Sequence, residues 1–224
     1  MNTKKVRDDD MDEDDFTPSN KLGYSVKSLQ INNFRVQLNE AVMDASYYSR
    51  VFEMMLDAGE NDQITFFISS GGGRIDGLNV LLEGVRLTDA FTTAVIVGSA
   101  HSAASIFALN CDEVIVTSSA DMLCHEVTYG IGGKGSDVYS HVLHTKRTSE
   151  SLLTETYSGF LDEKELSSLF AGTQIYLTAD EIRERLQRKV EYMEAKFKSE
   201  QTDPKEPEPQ PKKPSRKKKE PTQA

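Results

Sequence analysis

The stretch "VIVGSAHSAASIFALNCDEVIVTSSADMLCHEV", Val95 to Val127, decides the fold. It takes up the end of an apolar run, "FTTAVIV" (Phe91–Val97), and passes through Gly98, Ser99, Ala100 and His101 to Ser102. The chain then returns twice as short apolar runs, "DEVIVTS" and "DMLCHEV". Runs this short and this apolar read as strands buried on both faces. The small-residue stretch from Ala100 reads as a helix to about Asn110, with Ser102 at its start. His125 ends the last apolar run. Ser102 is either a packed helix-capping serine or a nucleophile with His125 as its base.

The same alternation continues outward. "QITFFIS" (Gln63–Ser69) is a buried strand, "SGGG" (Ser70–Gly73) a turn and Ile75–Val85 a helix. Upstream, Met43, Tyr47, Val51, Met54 and Met55 give Ala41–Ala58 a helical period. Downstream, "GIGGKGS" (Gly130–Ser136) is a loop, followed by a long helix over about Ser136–Tyr157 and a shorter one over Leu161–Phe170. The last helix spans about Thr178–Lys198, with Thr178 as N-cap and Glu181 three residues on, a capping-box pattern. Strands alternating with helices require crossover connections, so the fold class is α/β with a mostly parallel sheet.

The polar excess lies at the ends. Residues 1–24 carry an acidic cluster, Asp8–Asp15, and residues 200–224 are rich in Pro, Lys and Glu. Such segments bury too little apolar surface to offset ordering entropy, so both read as disordered, leaving 25–199 as the folded domain. With 26 Lys+Arg against 36 Asp+Glu the chain carries a net charge of −10, which argues against general nucleic-acid binding. The basic "KKPSRKKK" near the end reads as part of a solubilising tail. No apolar run reaches the roughly 20 residues of a membrane span. The first residues lack the apolar core of a secretory signal. Cys111 and Cys124 lie in or beside apolar runs and read as buried thiols rather than a disulfide framework. A reducing cytoplasm suits such a chain.

Gly71–Gly73, Ser102 and His125 all fall at or just past the carboxyl ends of predicted strands, where open α/β sheets place their sites. A glycine turn lets backbone N–H groups point into a cleft, where they stabilise an oxyanion. A serine at a helix start sits where developing negative charge is favoured. Ser99 and Ser105 compete for that role. His101 precedes Ser102, but successive side chains diverge, so it is poorly placed as a base. His141 and His144, three apart on a helix, read as a solvated face and not as a metal pair.

These residues resemble the Clp-type proteolytic subunits, serine peptidases of the crotonase-like superfold. "FFISSGGG" is similar to that family's strand and glycine turn, "GSAHSAAS" to its Gly-x-Ala-x-Ser nucleophile motif, and "DMLCHEV" to its strand ending in the catalytic histidine. "IYLTADE" (Ile175–Glu181) resembles a further segment, without a gap from His125. The resemblance covers roughly Val36–Ile182. It implies repeated β-β-α units, a mostly parallel sheet and a protruding long helix. It also implies Ser102 as nucleophile, His125 as general base and the amides of Gly73 and Ala103 as oxyanion donors. The implied partners are an unfolded or flexible polypeptide substrate, other copies of the chain in a homo-oligomeric ring, and an AAA+ unfoldase. No cofactor, metal, membrane or nucleic acid is implied.

The family's catalytic aspartate falls on Gln174. Its amide carbonyl can accept from imidazole, but it carries no charge to stabilise imidazolium. Three readings stay open: Gln174 orients His125 in a slow enzyme, a nearby acid such as Asp162, Asp180 or Glu163 does so, or the peptidase is impaired. Gly71 replaces the turn's proline, and Thr173 and Ile175 replace a charged pair that couples rings. The family's closing strand is missing, and the helix continues as "RERLQRKVEYMEAKFKSE". The main expectation is a serine endopeptidase acting through a Ser–His acyl-enzyme. The alternatives are a catalytically impaired structural or regulatory subunit and a prohead-type maturation protease of a virus. A Ser–Lys protease using Lys134 or Lys146, or an acyl-CoA hydratase, fits less well.

Overall fold

The computed structural model describes residues 31–202; the segments 1–24 and 203–224, expected to be disordered, lie outside the described residues. The elements follow as β1 (Asn33–Leu38), a 3-10 turn (Ala45–Tyr48), α1 (Ser49–Asp57), β2 (Gln63–Ser70), α2 (Ile75–Leu87) and β3 (Phe91–His101). Then come α3 (Ala103–Ala108), β4 (Glu113–Val116), β5 (Asp121–Cys124), α4 (Gly135–Tyr157), α5 (Glu163–Phe170), β6 (Ile175–Thr178) and α6 (Ala179–Thr202). One sheet runs β1-β2-β3-β5-β6, with β4 paired to β3. Every pairing is parallel except β5 with β6. The chain is therefore α/β with a mostly parallel sheet, as the apolar alternation predicts.

The core lies on one face of this sheet. Ile64, Phe66 and Ile68 of β2 and Ala94 and Ile96 of β3 are fully buried there, while their alternate neighbours are partly exposed. The strands are thus less symmetrically buried than their sequences suggest. Every residue of α3 is buried against this face, and Phe107 meets Phe66 edge to face at 4.8 Å. Alanines at 103, 104 and 108 let that short helix lie close to the strands. Only the last part of α4 enters the core, through Leu153, Thr156 and Tyr157; its first half is largely exposed, with Tyr139 and Leu143 at the surface. Below it, Arg185 of α6 donates to both carboxylate oxygens of Glu165 at 2.6 Å, tying α6 to α5.

Several elements differ from the sequence reading. The helix expected over Ala41–Ala58 starts only after Asp44, whose carboxylate accepts from the Ser46 N–H; Val42 instead bridges to Gly73. The helix expected from Ala100 gives way to strand, because β3 continues to His101 alongside β5. "DEVIVTS" and "DMLCHEV" shorten to four-residue strands, so His125 stands one residue past β5. β1 and β6 are unanticipated strands. Thr178 does precede α6, yet its hydroxyl donates to the Glu181 carboxylate (2.7 Å) and does not cap the helix in the reciprocal manner. That helix also runs on to Thr202, past the expected start of the tail at Glu200.

Candidate active site

Ser102 stands between β3 and α3 with φ 56° and ψ −124°, the one non-glycine residue at positive φ among those described. An L-residue pays about 1–3 kcal/mol to hold such a conformation. The neighbours that hold it are explicit. The Ser102 N–H donates to the Leu123 carbonyl of β5 at 2.9 Å. The Ser102 carbonyl accepts from the N–H groups of Ser105 (3.0 Å) and Ile106 (3.2 Å). A strand-to-helix reversal of this shape turns the intervening side chain out of the sheet, and Ser102 makes no side-chain cap to its own helix. Ser102 thus holds the N-cap position of α3, but its hydroxyl does not cap the helix.

The glycine turn leans on this reversal. A Cβ on Gly72 would lie 2.5 Å from the His101 carbonyl oxygen and 2.6 Å from the Ser102 Cβ. On the far side of the turn, the Val42 N–H donates to the Gly72 carbonyl (2.9 Å) and the Val42 carbonyl accepts from the Arg74 N–H (2.8 Å). In such a parallel bridge the residue between, Gly73, directs its own N–H away from Val42. The Ala103 N–H opens α3 and has no acceptor one turn back. Among the described residues neither amide takes part in the hydrogen bonds of this turn.

His125 is half-buried immediately beyond β5. Among the described residues no hydrogen bond joins its ring to the Ser102 hydroxyl. The β5–β6 register pairs Cys124 with Ile175. The ladder ends there, so His125 and Gln174 each stand one residue beyond its last pair. The Gln174 carbonyl oxygen accepts from the Tyr176 hydroxyl at 3.1 Å. Two of the acids weighed as substitutes are engaged elsewhere. Asp162 caps α5 through the Glu165 N–H (2.8 Å), and Asp180 pairs with Arg183 (2.6 Å). Glu163 lies in the first turn of α5.

One carboxylate near Ser102, Asp121, escaped the sequence reading, together with its bonds to Ser99 and His101. Ser99 donates to Asp121 (2.8 Å), and the His101 ring Nε2 bonds the other oxygen of the same carboxylate. Burial works to raise the Asp121 pKa, but the bonds from His101 and Ser99 outweigh it and hold the carboxyl below its ordinary value. His101 also meets Tyr176 edge-on at 6.2 Å. Both Ser99 and His101 are therefore committed to β5 and away from Ser102. Ser105, the other rival nucleophile, is fully buried and bonded on every side. The alternation of β3 gave the signal: Ser99 and His101 lie two apart, on the face opposite the buried Ala100.

A cleft of about 430 Å³ adjoins these segments. The chain enters it directly from Gly73, through Arg74 and Ile75, and two residues after His125, through Val127 and Thr128; Thr148 and Leu152 of α4 face them. Arg74 and Asp76 pair in a bidentate salt bridge with both bonds at 2.9 Å. Among the described residues no group of three or more His, Cys, Asp or Glu side chains is arranged to hold a metal ion, and no helix is long and apolar enough to cross a membrane.

Ser102 at positive φ between strand and helix, the glycine turn packed on it and His125 just past the next strand end all lie at the carboxyl ends of β2, β3 and β5. Residues 19–167, more than half of the chain, match the family model described as Clp protease, and the chain belongs to that family. Ser102, His125 and the glycine turn fall within the match, whereas Gln174 and α6 lie beyond it. Among curated proteins, none matches the chain. Family membership supports a Clp-type peptidase at the family level and implies polypeptide substrates and the oligomeric assembly typical of the family.

Proposed function

We propose that the chain is a serine endopeptidase that cleaves unfolded or flexible polypeptide. Ser102 attacks the scissile carbonyl. His125 takes the hydroxyl proton and returns it to the leaving amine, and water then hydrolyses the acyl-enzyme. The Gly73 and Ala103 amides receive the oxyanion; one such donor is worth on the order of 3 kcal/mol. The observation that carries this reading is the positive φ of Ser102. The chain maintains a costly backbone conformation at the one serine whose motif, turn and neighbouring strand end suit a nucleophile.

Gln174 supports a slow variant of the mechanism, in which its amide carbonyl orients the His125 ring without supplying charge. Substituting an amide for the orienting carboxylate costs about 10⁴ in rate where it fixes the wrong tautomer. The same residue favours the second reading, a catalytically impaired subunit that structures or regulates a ring of active copies. A maturation protease of viral type uses the same chemistry on a narrower substrate. We further assign the working form to a homo-oligomeric ring, served by an unfoldase and located in the cytoplasm, with 25–199 as its protease domain.

Labelling with a fluorophosphonate probe separates the readings. Wild-type protein that labels, with loss in Ser102→Ala, establishes an activated serine. Absence of labelling in assembled wild type overturns the serine peptidase in favour of the impaired subunit.

A further inference from the structure

Behind Ser102 lies a buried polar relay that the proposed chemistry does not use. The Ser105 Oγ sits 2.7 Å from the Ser102 carbonyl, 3.1 Å from the Leu123 carbonyl and 2.8 Å from the Tyr157 hydroxyl. A serine hydroxyl has one proton, and the carbonyls can only accept. The Ser105 hydroxyl thus has the Ser102 carbonyl as its nearest acceptor, and it shares a hydrogen bond with the Tyr157 hydroxyl in which either oxygen can donate. Tyr157, Ser105 and the Ser102 carbonyl form one connected set of hydrogen bonds. The Leu123 carbonyl, at the edge of the same cluster, also accepts the Ser102 N–H at 2.9 Å. Both peptide groups that set the Ser102 conformation thus converge on one hydroxyl.

Tyr157 reaches this point from the last residue of α4, far from the site in sequence. Its side chain and that of Ser105 are fully buried. Desolvation pushes the Tyr157 pKa well above its ordinary value, so the phenol remains protonated throughout the working pH range. The Cys124 thiol, one residue before His125, lies against the same phenol. Tyr157 thereby touches both supports of the site, the reversal that holds Ser102 and the strand end that precedes His125.

We infer that Tyr157 and Ser105 are positioning residues for the reaction. The phenol orients Ser105, and Ser105 clamps Ser102 in its positive-φ conformation and at a fixed distance from the end of β5. This rests on the reading of Ser102 as nucleophile. In a buried relay each bond depends on its neighbour, so losing one member releases the whole.

The test uses the full-length protein with Tyr157→Phe, Ser105→Ala and the double variant, each followed by the rate of fluorophosphonate labelling and by kcat and KM on a peptide. Each single variant is expected to lose roughly tenfold in labelling and in kcat with KM unchanged, as one misdirected hydrogen bond in a buried site would cause. The double variant is expected to lose no more than either single one. Ile64→Val, a core change remote from the relay, serves as the control and keeps the labelling rate despite lower thermal stability. Labelling of Tyr157→Phe at the wild-type rate, or losses that add in the double variant, overturns the relay while leaving the nucleophile intact. Should Tyr157→Phe fail to fold, Ser105→Ala alone decides by the same kcat-against-KM split. Wild type that labels no faster than Ser102→Ala overturns the peptidase reading and the relay with it.

Discussion

The Cα of Gly72 packs directly on Ser102: a single added methyl would fall 2.6 Å from the serine Cβ. Gly72 also holds φ +84°, where an L-residue is itself strained. Gly72→Ala should therefore cost about 3 kcal/mol of stability and abolish Ser102 labelling in whatever protein remains folded. Gly71 next to it has open space around its Cβ direction and no positive φ. Gly71→Ala should be neutral or stabilising by about 0.5 kcal/mol, with labelling retained. Thermal melting and probe labelling of the two variants read both outcomes; equal damage from both would refute the contact.

Gln174→Asp restores a carboxylate at position 174. Positions 125 and 174 each follow on from the last β5–β6 pair, Cys124 with Ile175, so the variant should raise the labelling rate at least tenfold, within the factor of about 10⁴ separating amide from carboxylate orienters. Tyr176→Phe should sharpen this comparison, because it frees the 174 side chain from the hydroxyl that now holds it. An unchanged rate in Gln174→Asp would show that position 174 does not reach the ring.

The two cysteines should be silent in the native protein. Burial raises the Cys124 thiol to about 12 and the Cys111 thiol higher still, so neither forms the thiolate that alkylating reagents attack. Titration with a thiol reagent is expected to find none reactive in buffer and two in denaturant. Rapid native labelling of one thiol would contradict the burial of β5 or of the end of α3.

Lys189 donates to the Thr156 carbonyl at 2.5 Å, and burial lowers its pKa to about 8. Between that value and the ordinary lysine range the unfolded chain binds more protons than the folded one. Stability must then rise with pH through this window. Lys189→Met should flatten the rise between about pH 8 and 10.5, the ordinary lysine value. Denaturant unfolding across that range checks it, and an identical slope in the variant would exclude Lys189 as the cause.

Much of this arrangement is legible in the residues themselves. β2, β3 and the helices after them follow from apolar runs and turn glycines. Ser102 and His125 follow from their motifs. β1 carries a readable signal, since Asn33, Arg35 and Gln37 alternate with Phe34, Val36 and Leu38 in the period of a half-buried strand, but it lacks the unbroken apolar run by which β2 and β3 stand out. β6 escapes because, of its four residues, only Leu177 is buried. The conformation of Ser102 is invisible for a different reason: no residue type announces positive φ at a serine, and it arises from what β5 and the glycine turn impose. The pairing of Ser99 and His101 with Asp121 likewise appears only once β3 and β5 are set side by side.

The lone antiparallel pair has a consequence for the order in which the protein matures. Joining Cys124 to Ile175 closes a loop of about 50 residues, an entropic cost met only late in collapse. A ribosome has released both Ser102 and His125 well before it supplies β6. The nascent chain thus carries Ser102 and His125 while β6, the partner of β5, is still unmade. Tyr157 and then Gln174 arrive afterwards, so the part of the chain synthesised last completes the surroundings of residues synthesised first.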